Sequence, residues 1–246
     1  MLHLTTQTDM PVDFLSQLQQ HWPFVTALPN CTLVSACFNQ DALTPELVAD
    51  CAIDLPKATS KRQAEFLAAR LCARKALHIQ TGLASLPTQQ ENSRIPLWPA
   101  QSCGSMSHSH SLAAALVGDS HTWQGLGIDI EKPLSPKRAQ RLAKNILTTA
   151  EHDTYALLNS GQQAMYLTVV FSFKESLFKA LNPLTARYFS FHDAQVLDLN
   201  VADSGHARLR LAKDLSRDWP AGSQLEGQFS QLHGSVITLV SIASRR

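Results

Sequence analysis

Gly127-Ile128-Asp129-Ile130-Glu131 is the segment that most constrains this chain. Apolar and acidic residues alternate. On an extended strand Ile128 and Ile130 therefore face a core, while Asp129 and Glu131 share the opposite face. Acids are depleted in strands, and two on one face repel. They stand roughly 6–7 Å apart along a strand, and a cation between them relieves the repulsion. A hard divalent ion with oxygen ligands does this economically, and such ions commonly accompany phosphate chemistry. Read locally, the pair also fits a half-exposed hairpin strand with its acids outward.

A second segment, Phe173-Lys174-Glu175-Ser176-Leu177-Phe178-Lys179, bears on that choice. Val170, Phe173, Leu177 and Leu181 recur at helical spacing along one side. Ser172, Glu175, Lys179 and Asn182 lie along the other. An isolated Glu175–Lys179 pair would be a surface contact of about 0.2–0.5 kcal/mol. Downstream of two strand carboxylates, the same segment offers a third acid and two lysines, which an ion bound to a polyphosphate needs around it.

Two further stretches carry polar chemistry. Ser107-His108-Ser109-His110 supplies hydroxyls and an imidazole that can donate to phosphate; a plain polar turn is the local alternative. His108-x-His110 as a metal pair lacks a third nitrogen or sulfur ligand nearby. Residues 60–80 read as a helix, with Ser60 at the cap, Gln63 in the capping-box position, Phe66, Leu67, Leu71 and Leu77 on its apolar face, and Gly82 past its end. Arg62, Arg70 and Arg74 punctuate it, either as solvated arginines or as a cluster that grips a phosphate.

The chain has 246 residues, room for one large domain or two small ones. Its 44% apolar and 17% charged content is that of a soluble globular protein. A net charge of +1 gives no reason to expect bulk nucleic-acid binding. No apolar run reaches the length of a membrane span, and the first residues lack a signal peptide's regions. The five cysteines, at 31, 37, 51, 72 and 103, form no C-x-x-C pair, so neither a disulfide framework nor a structural zinc site is expected. A cytoplasmic, reduced protein is the expectation.

Strands are expected at Thr32–Phe38 and Leu112–Val117, the latter forming a hairpin with the acidic strand through Gly118-Asp119-Ser120. Ser135-Pro136 opens a basic helix, and Thr148 with Glu151 makes a capping box. A helix after Gly161 runs to Leu181, where Asn182-Pro183 stops it. Strands follow at 195–199, 207–211 and 235–240. Helix and antiparallel strand in each half make an α+β arrangement.

In order along residues 60–185, these pieces resemble a 4'-phosphopantetheinyl transferase of the Sfp type, nearest the enterobactin synthetase component D branch. They are Arg62-Gln63-Ala64-Glu65-Phe66-Leu67-Ala68-Ala69-Arg70-Leu71-Cys72-Ala73-Arg74, Pro96-Leu97-Trp98-Pro99, Gly104-Ser105-Met106-Ser107-His108-Ser109, Gly127–Glu131, Asn145-Ile146-Leu147-Thr148-Thr149-Ala150-Glu151-His152, and Phe171–Ala180. The resemblance implies two similar α+β subdomains related by a pseudo-twofold, residues 1–120 and 121–246, with coenzyme A in the cleft between them. It implies transfer of 4'-phosphopantetheine from coenzyme A to a serine of an apo carrier protein, by a monomer, leaving adenosine 3',5'-bisphosphate. Asp129, Glu131 and Glu175 match the family's Mg²⁺ ligands, with Mn²⁺ as an alternative ion. Glu175 is the candidate base, and Lys179 matches the lysine that helps the leaving phosphate. Lys174 matches a lysine near the pyrophosphate or nucleotide. Ser107 and His108 match the pyrophosphate contact, and Arg62 and Arg70 the arginines on the 3'-phosphate. Some members carry a lysine directly before the proline of the preceding loop; here Ile95 stands there, with Arg94 as the nearest substitute.

The resemblance points to carriers of nonribosomal peptide siderophore assembly, with polyketide, polyunsaturated-fatty-acid and fatty-acid carriers as alternatives. Lys137, Arg138, Arg141 and Lys144 form a candidate docking face for an acidic carrier helix, or a solvated basic face. Two rival functions use the same residues: a Mg²⁺-dependent phosphohydrolase, and a non-catalytic carrier-binding module. The second should have lost an acid or Lys179, and all four are present.

Overall fold

The computed structural model describes residues 13–89, 95–199 and 204–244. Its first half holds β1 (Leu15–Gln20), β2 (Cys31–Phe38), α1 (Pro45–Cys51), α2 (Ser60–Thr81), β3 (Thr88–Gln89), β4 (Pro96–Leu97), β5 (Ser102–Ser109) and β6 (Leu112–Asp119). The second holds β7 (Trp123–Glu131), α3 (Pro136–Ile146), α4 (Thr149–Ala156), α5 (Ser160–Thr185), β8 (Ala194–Leu197), β9 (Gly205–Leu211), β10 (Gln224–Leu232) and β11 (Ser235–Ala243).

Helix starts follow their caps. Thr59, Ser135, Thr148 and Asn159 each accept from the backbone N–H three residues on, and Thr148 and Asn159 complete capping boxes with Glu151 and Gln162. The first cap is thus Thr59, one residue before the expected Ser60. α5 also differs from expectation, starting before Gly161 and running past Asn182-Pro183. Pro183 has no N–H to give the Lys179 carbonyl, and the helix closes only at Ala186, in the left-handed region.

The strands form two antiparallel sheets in the orders β1-β2-β6-β5 and β7-β11-β10-β9-β8, with β3 and β4 paired apart. Alternation along the central strands builds the layers. Ala113, Ala115 and Val117 of β6 pack under α2, while Leu112, Ala114 and Leu116 face the second sheet. Likewise Val236, Val240 and Ile242 of β11 pack under α5, while Ile237 and Leu239 face the first sheet. The order is α2, sheet, sheet, α5, and each half is a long helix on an antiparallel sheet, the α+β arrangement expected.

The expected hairpin between β6 and β7 does not form. Both edges of β6 are taken by β2 and β5, so the chain crosses to the other sheet and β7 pairs with β11 instead. β5 and β7 thereby become facing edges, joined by side chains rather than by a backbone ladder. The Cys103 thiol donates to Trp123 O at 3.1 Å. Ser105 Oγ accepts from Ile128 N–H at 3.0 Å, and Ser107 Oγ from Ile130 N–H at 3.1 Å. These residues recur at i, i+2 on one edge of β5. Ser107-His108-Ser109 is therefore strand, and only His110 falls in the turn.

On its other face β7 meets α5 backbone to backbone. A Cβ at Gly127 would lie 1.9 Å from Ser176 O, so only glycine admits the helix there. That close approach brings α5 down onto the face carrying Asp129.

Candidate active site

Asp129 is 5% exposed and its carboxylate is held by three side chains from two other elements. Ser107 Oγ of β5 donates to Oδ1 at 3.0 Å, and Lys179 Nζ of α5 to the same oxygen at 2.8 Å. Ser172 Oγ of α5 donates to Oδ2 at 3.0 Å. Lys179 also reaches Ser107 Oγ and Ile128 O, at 3.1 and 3.0 Å. The two halves of the fold are thus locked together at one carboxylate.

Glu131 and Glu175 press on that centre. Burial, reinforced by Asp129 and Glu175, pushes the Glu131 carboxyl up to about 7, against the opposing pull of Lys179 and Arg138. Burial and the charge of Asp129 also raise Glu175, opposed by Lys179. Two acids that strain against ionisation beside a third, offering oxygen donors alone, are the donor chemistry of a hard divalent cation. Among the described residues no three His, Cys, Asp or Glu side chains gather closely enough to hold an ion as they stand. Here Lys179 supplies the cationic partner of Asp129. The donor set fits Mg²⁺ in chemistry, and ligation requires the acids to draw together.

β5 and α2 build the adjoining basic wall. His108 Nε2 lies 2.5 Å from Arg62 Nη1, and its Nδ1 is 3.5 Å from Glu65 Oε2. Burial first, then the charges of Arg62, Lys179 and Lys61, lower His108 to about 4, so it is neutral at pH 7. Arg70 stacks on Phe66, its guanidinium carbon 4.0 Å from the ring centroid, and extends to Met106. It has no carboxylate partner among the described residues and is free to take an anion. Glu65, between Arg62 and His108, was not singled out from the sequence. Its three-residue spacing from Arg62 was the available signal.

Lys174 requires a correction. It does not join the pyrophosphate contacts: its side chain is 1% exposed, and Nζ donates to Ile146 O, Glu151 Oε2 and Phe191 O at 2.8, 2.7 and 2.8 Å. Every ammonium hydrogen is used inside the second half. The cause is helical geometry, since adjacent residues stand about 100° apart and Lys174 cannot share the face of Glu175. Arg74 likewise turns to the Cys51 carbonyl and away from Arg62. Arg94 lies outside the described residues. Two cavities, of about 410 Å³ beside Arg187, Tyr188 and Lys213 and about 460 Å³ beside Lys144, His152 and His192, contain none of the three acids.

Comparison with known proteins identifies related chains. A 4'-phosphopantetheinyl transferase N-terminal domain matches residues 51–118, and the 4'-phosphopantetheinyl transferase superfamily matches residues 125–239. Enterobactin synthase component D of Escherichia coli (strain K12) is 39% identical over 146 residues, 59% of this chain and 66% of that protein. The match therefore spans just under two thirds of that relative's length. Enterobactin synthase component D of Salmonella typhi is 34% identical over 191 residues, 78% of this chain and 76% of that one. 4'-phosphopantetheinyl transferase Svp of Streptomyces mobaraensis is 31% identical over 196 residues, covering 78% and 77%. A solved holo-(acyl-carrier-protein) synthase from Bacillus anthracis, in complex with CoA (3',5'-ADP), covers 50% of this chain and 99% of its own at 18% identity, with a TM-score of 0.32. That likeness is too weak to bear on the site.

Proposed function

Because the chain belongs to the 4'-phosphopantetheinyl transferase superfamily, we propose that it moves 4'-phosphopantetheine from coenzyme A to a serine of an apo carrier protein. The observation that carries this reading is the convergence on Asp129: acids from β7 and α5, a lysine from α5, and serine, histidine and arginine from β5 and α2 meet at the seam between the two halves. A phosphoanhydride needs such a divided site, cationic around the phosphates and acidic where a cation and an attacking hydroxyl gather.

Asp129, Glu131 and Glu175 would hold Mg²⁺, or Mn²⁺, which when bound neutralises charge on the pyrophosphate. Arg62 and Arg70 grip the nucleotide's 3'-phosphate with contacts that do not change during reaction, so they govern KM more than kcat. His108 faces the pyrophosphate, and Ser107, whose hydroxyl serves Asp129, Ile130 and Lys179, reaches it by exchanging its Lys179 contact. The carrier serine oxygen bonds to the β-phosphorus as the bond to the bisphosphate's oxygen breaks. Its proton goes to Glu175, whose raised affinity for protons suits a base. Lys179 donates to the departing phosphate. The names of the relatives support a carrier of nonribosomal peptide siderophore assembly, and the exposed Lys137, Arg138, Arg141 and Lys144 of α3 support docking of an acidic helix. We infer a monomer with residues 1–120 and 121–246 as its two subdomains.

Intact-mass analysis tests this. The protein, coenzyme A and Mg²⁺ are mixed with apo carrier domains and their serine-to-alanine controls. A gain of one phosphopantetheine group, absent with chelator and in the controls, is the expected result. Bisphosphate released without carrier modification would instead identify a hydrolase.

A further inference from the structure

Beneath Asp129 lies a chain of hydroxyls that none of the roles above uses. Thr238 of β11 is the residue directly opposite Asp129 across the β7–β11 ladder. Its hydroxyl lies 2.8 Å from Ser172 Oγ and 2.7 Å from Ser176 Oγ, on two successive turns of α5. Thr238, Ser172 and Ser176 are all 0% exposed, so water cannot substitute for any of them.

The proton order in this chain follows from one fact: an ionised carboxylate only accepts. Ser172 must spend its hydrogen on Asp129 Oδ2, 3.0 Å away. Its contact with Thr238 is then one in which Thr238 donates. Thr238 has thereby spent its own hydrogen and can only accept from Ser176. The single Ser176 hydrogen is shared between Thr238 Oγ1, at 2.7 Å, and the Thr238 carbonyl, at 3.2 Å. The donors run in one direction, from Ser176 through Thr238 and Ser172 to Asp129, and each bond polarises the next. On the other side Ser107 and Lys179 occupy Oδ1.

Resting on the proposed metal role of Asp129, we propose that Thr238 is a positioning residue for that carboxylate. Through Ser172 it fixes the carboxylate's rotation, and with it the direction in which Asp129 would offer oxygen to a divalent cation. Without Thr238 as donor, Ser172 would be free to turn away, and Asp129 would be held on Oδ1 alone.

The test is a double-mutant cycle read by Mn²⁺ binding to the full chain, followed by electron paramagnetic resonance without coenzyme A. Thr238→Val keeps the shape and removes the hydroxyl. It is expected to weaken Mn²⁺ binding by about tenfold or more, the usual cost of losing a partner of a metal ligand. Thr238→Ser should restore binding. In a Ser172→Ala background Thr238→Val should add nothing, because its effect passes through Ser172. An equal loss in both backgrounds, or no loss in the first, overturns the inference while leaving the transferase reading intact. No Mn²⁺ binding by the unaltered protein, or binding that survives Asp129→Ala, overturns the metal role together with the inference. Thermal unfolding of each variant separates these outcomes from a failure to fold.

Discussion

Lys174 and Lys179 lie on one helix, each beside a carboxylate at 2.7 and 2.8 Å, yet they do different work. The Lys174–Glu151 pair is sealed, each side chain 1% exposed. Glu151 takes Thr148 N–H and Oγ1–H on Oε2 and Val196 N–H on Oε1, so the pair ties α4 to α5 and β8 through donors that cannot move. Lys179 is 28% exposed, and its partner Asp129 has two further acids pressing on it. A buried pair with saturated partners is scaffold. A half-open pair among like charges can exchange its cation, which is what the proposed transfer asks of it.

The sharpest way to break this comparison is to remove one member of each pair. Asp129→Ala should cut phosphopantetheine transfer by about 1000-fold or more in a protein that still folds, with a lower urea midpoint because Ser107 and Ser172 lose their acceptor. Near-normal turnover by mass spectrometry would remove Asp129 from the chemistry. Lys174→Met should do the reverse. It leaves Glu151 buried and charged, at a cost of about 3–5 kcal/mol of stability, and the KM for coenzyme A of whatever folds should be unchanged. A raised KM with normal stability would return Lys174 to the nucleotide site. Arg70→Ala should raise that KM by about tenfold with kcat held; a fall in kcat alone would show a transition-state role. Reversing Lys137 and Arg141 to Glu should slow carrier modification about threefold and flatten its salt dependence.

Acidity gives a gentler contrast. His108 titrates near 4 in the native chain against 6.5 unfolded. Above 6.5 both states are neutral and the group contributes nothing. As pH falls from 6.5 toward 4 the unfolded chain binds the proton first, so stability is lost across that window. Glu131 acts with the opposite sign. Its native carboxyl titrates near 7 against 4.5 unfolded, so between these values the native state holds the extra proton and gains stability as pH falls. His108→Gln should therefore make denaturant midpoints less sensitive to acid below pH 6.5. An unchanged slope would show that the imidazole is not buried neutral.

Much of the site is legible because strand and helix periods place residues on faces without further information. Asp129 and Glu131 alternate with isoleucines that are fully buried, and Glu175 and Lys179 are one helical turn apart. Caps at Ser135 and Thr148 start helices where a side chain can accept from the third N–H. β5 was harder to read, since Cys103, Ser105 and Ser107 alternate without an apolar signal and earn their place only against the β7 backbone.

By itself, then, the sequence determined the α+β class, the long helices and the acids that would face one another. Local periodicity and capping act over a few residues, and the chain carries both everywhere. Only the tertiary structure decided that β7 pairs with β11 and not β6, that Lys174 is scaffold, and that Thr238 and Ser172 sit under Asp129. Each depends on how closely α5 approaches Gly127 and on which edges are already taken, and those are contacts between residues dozens of positions apart.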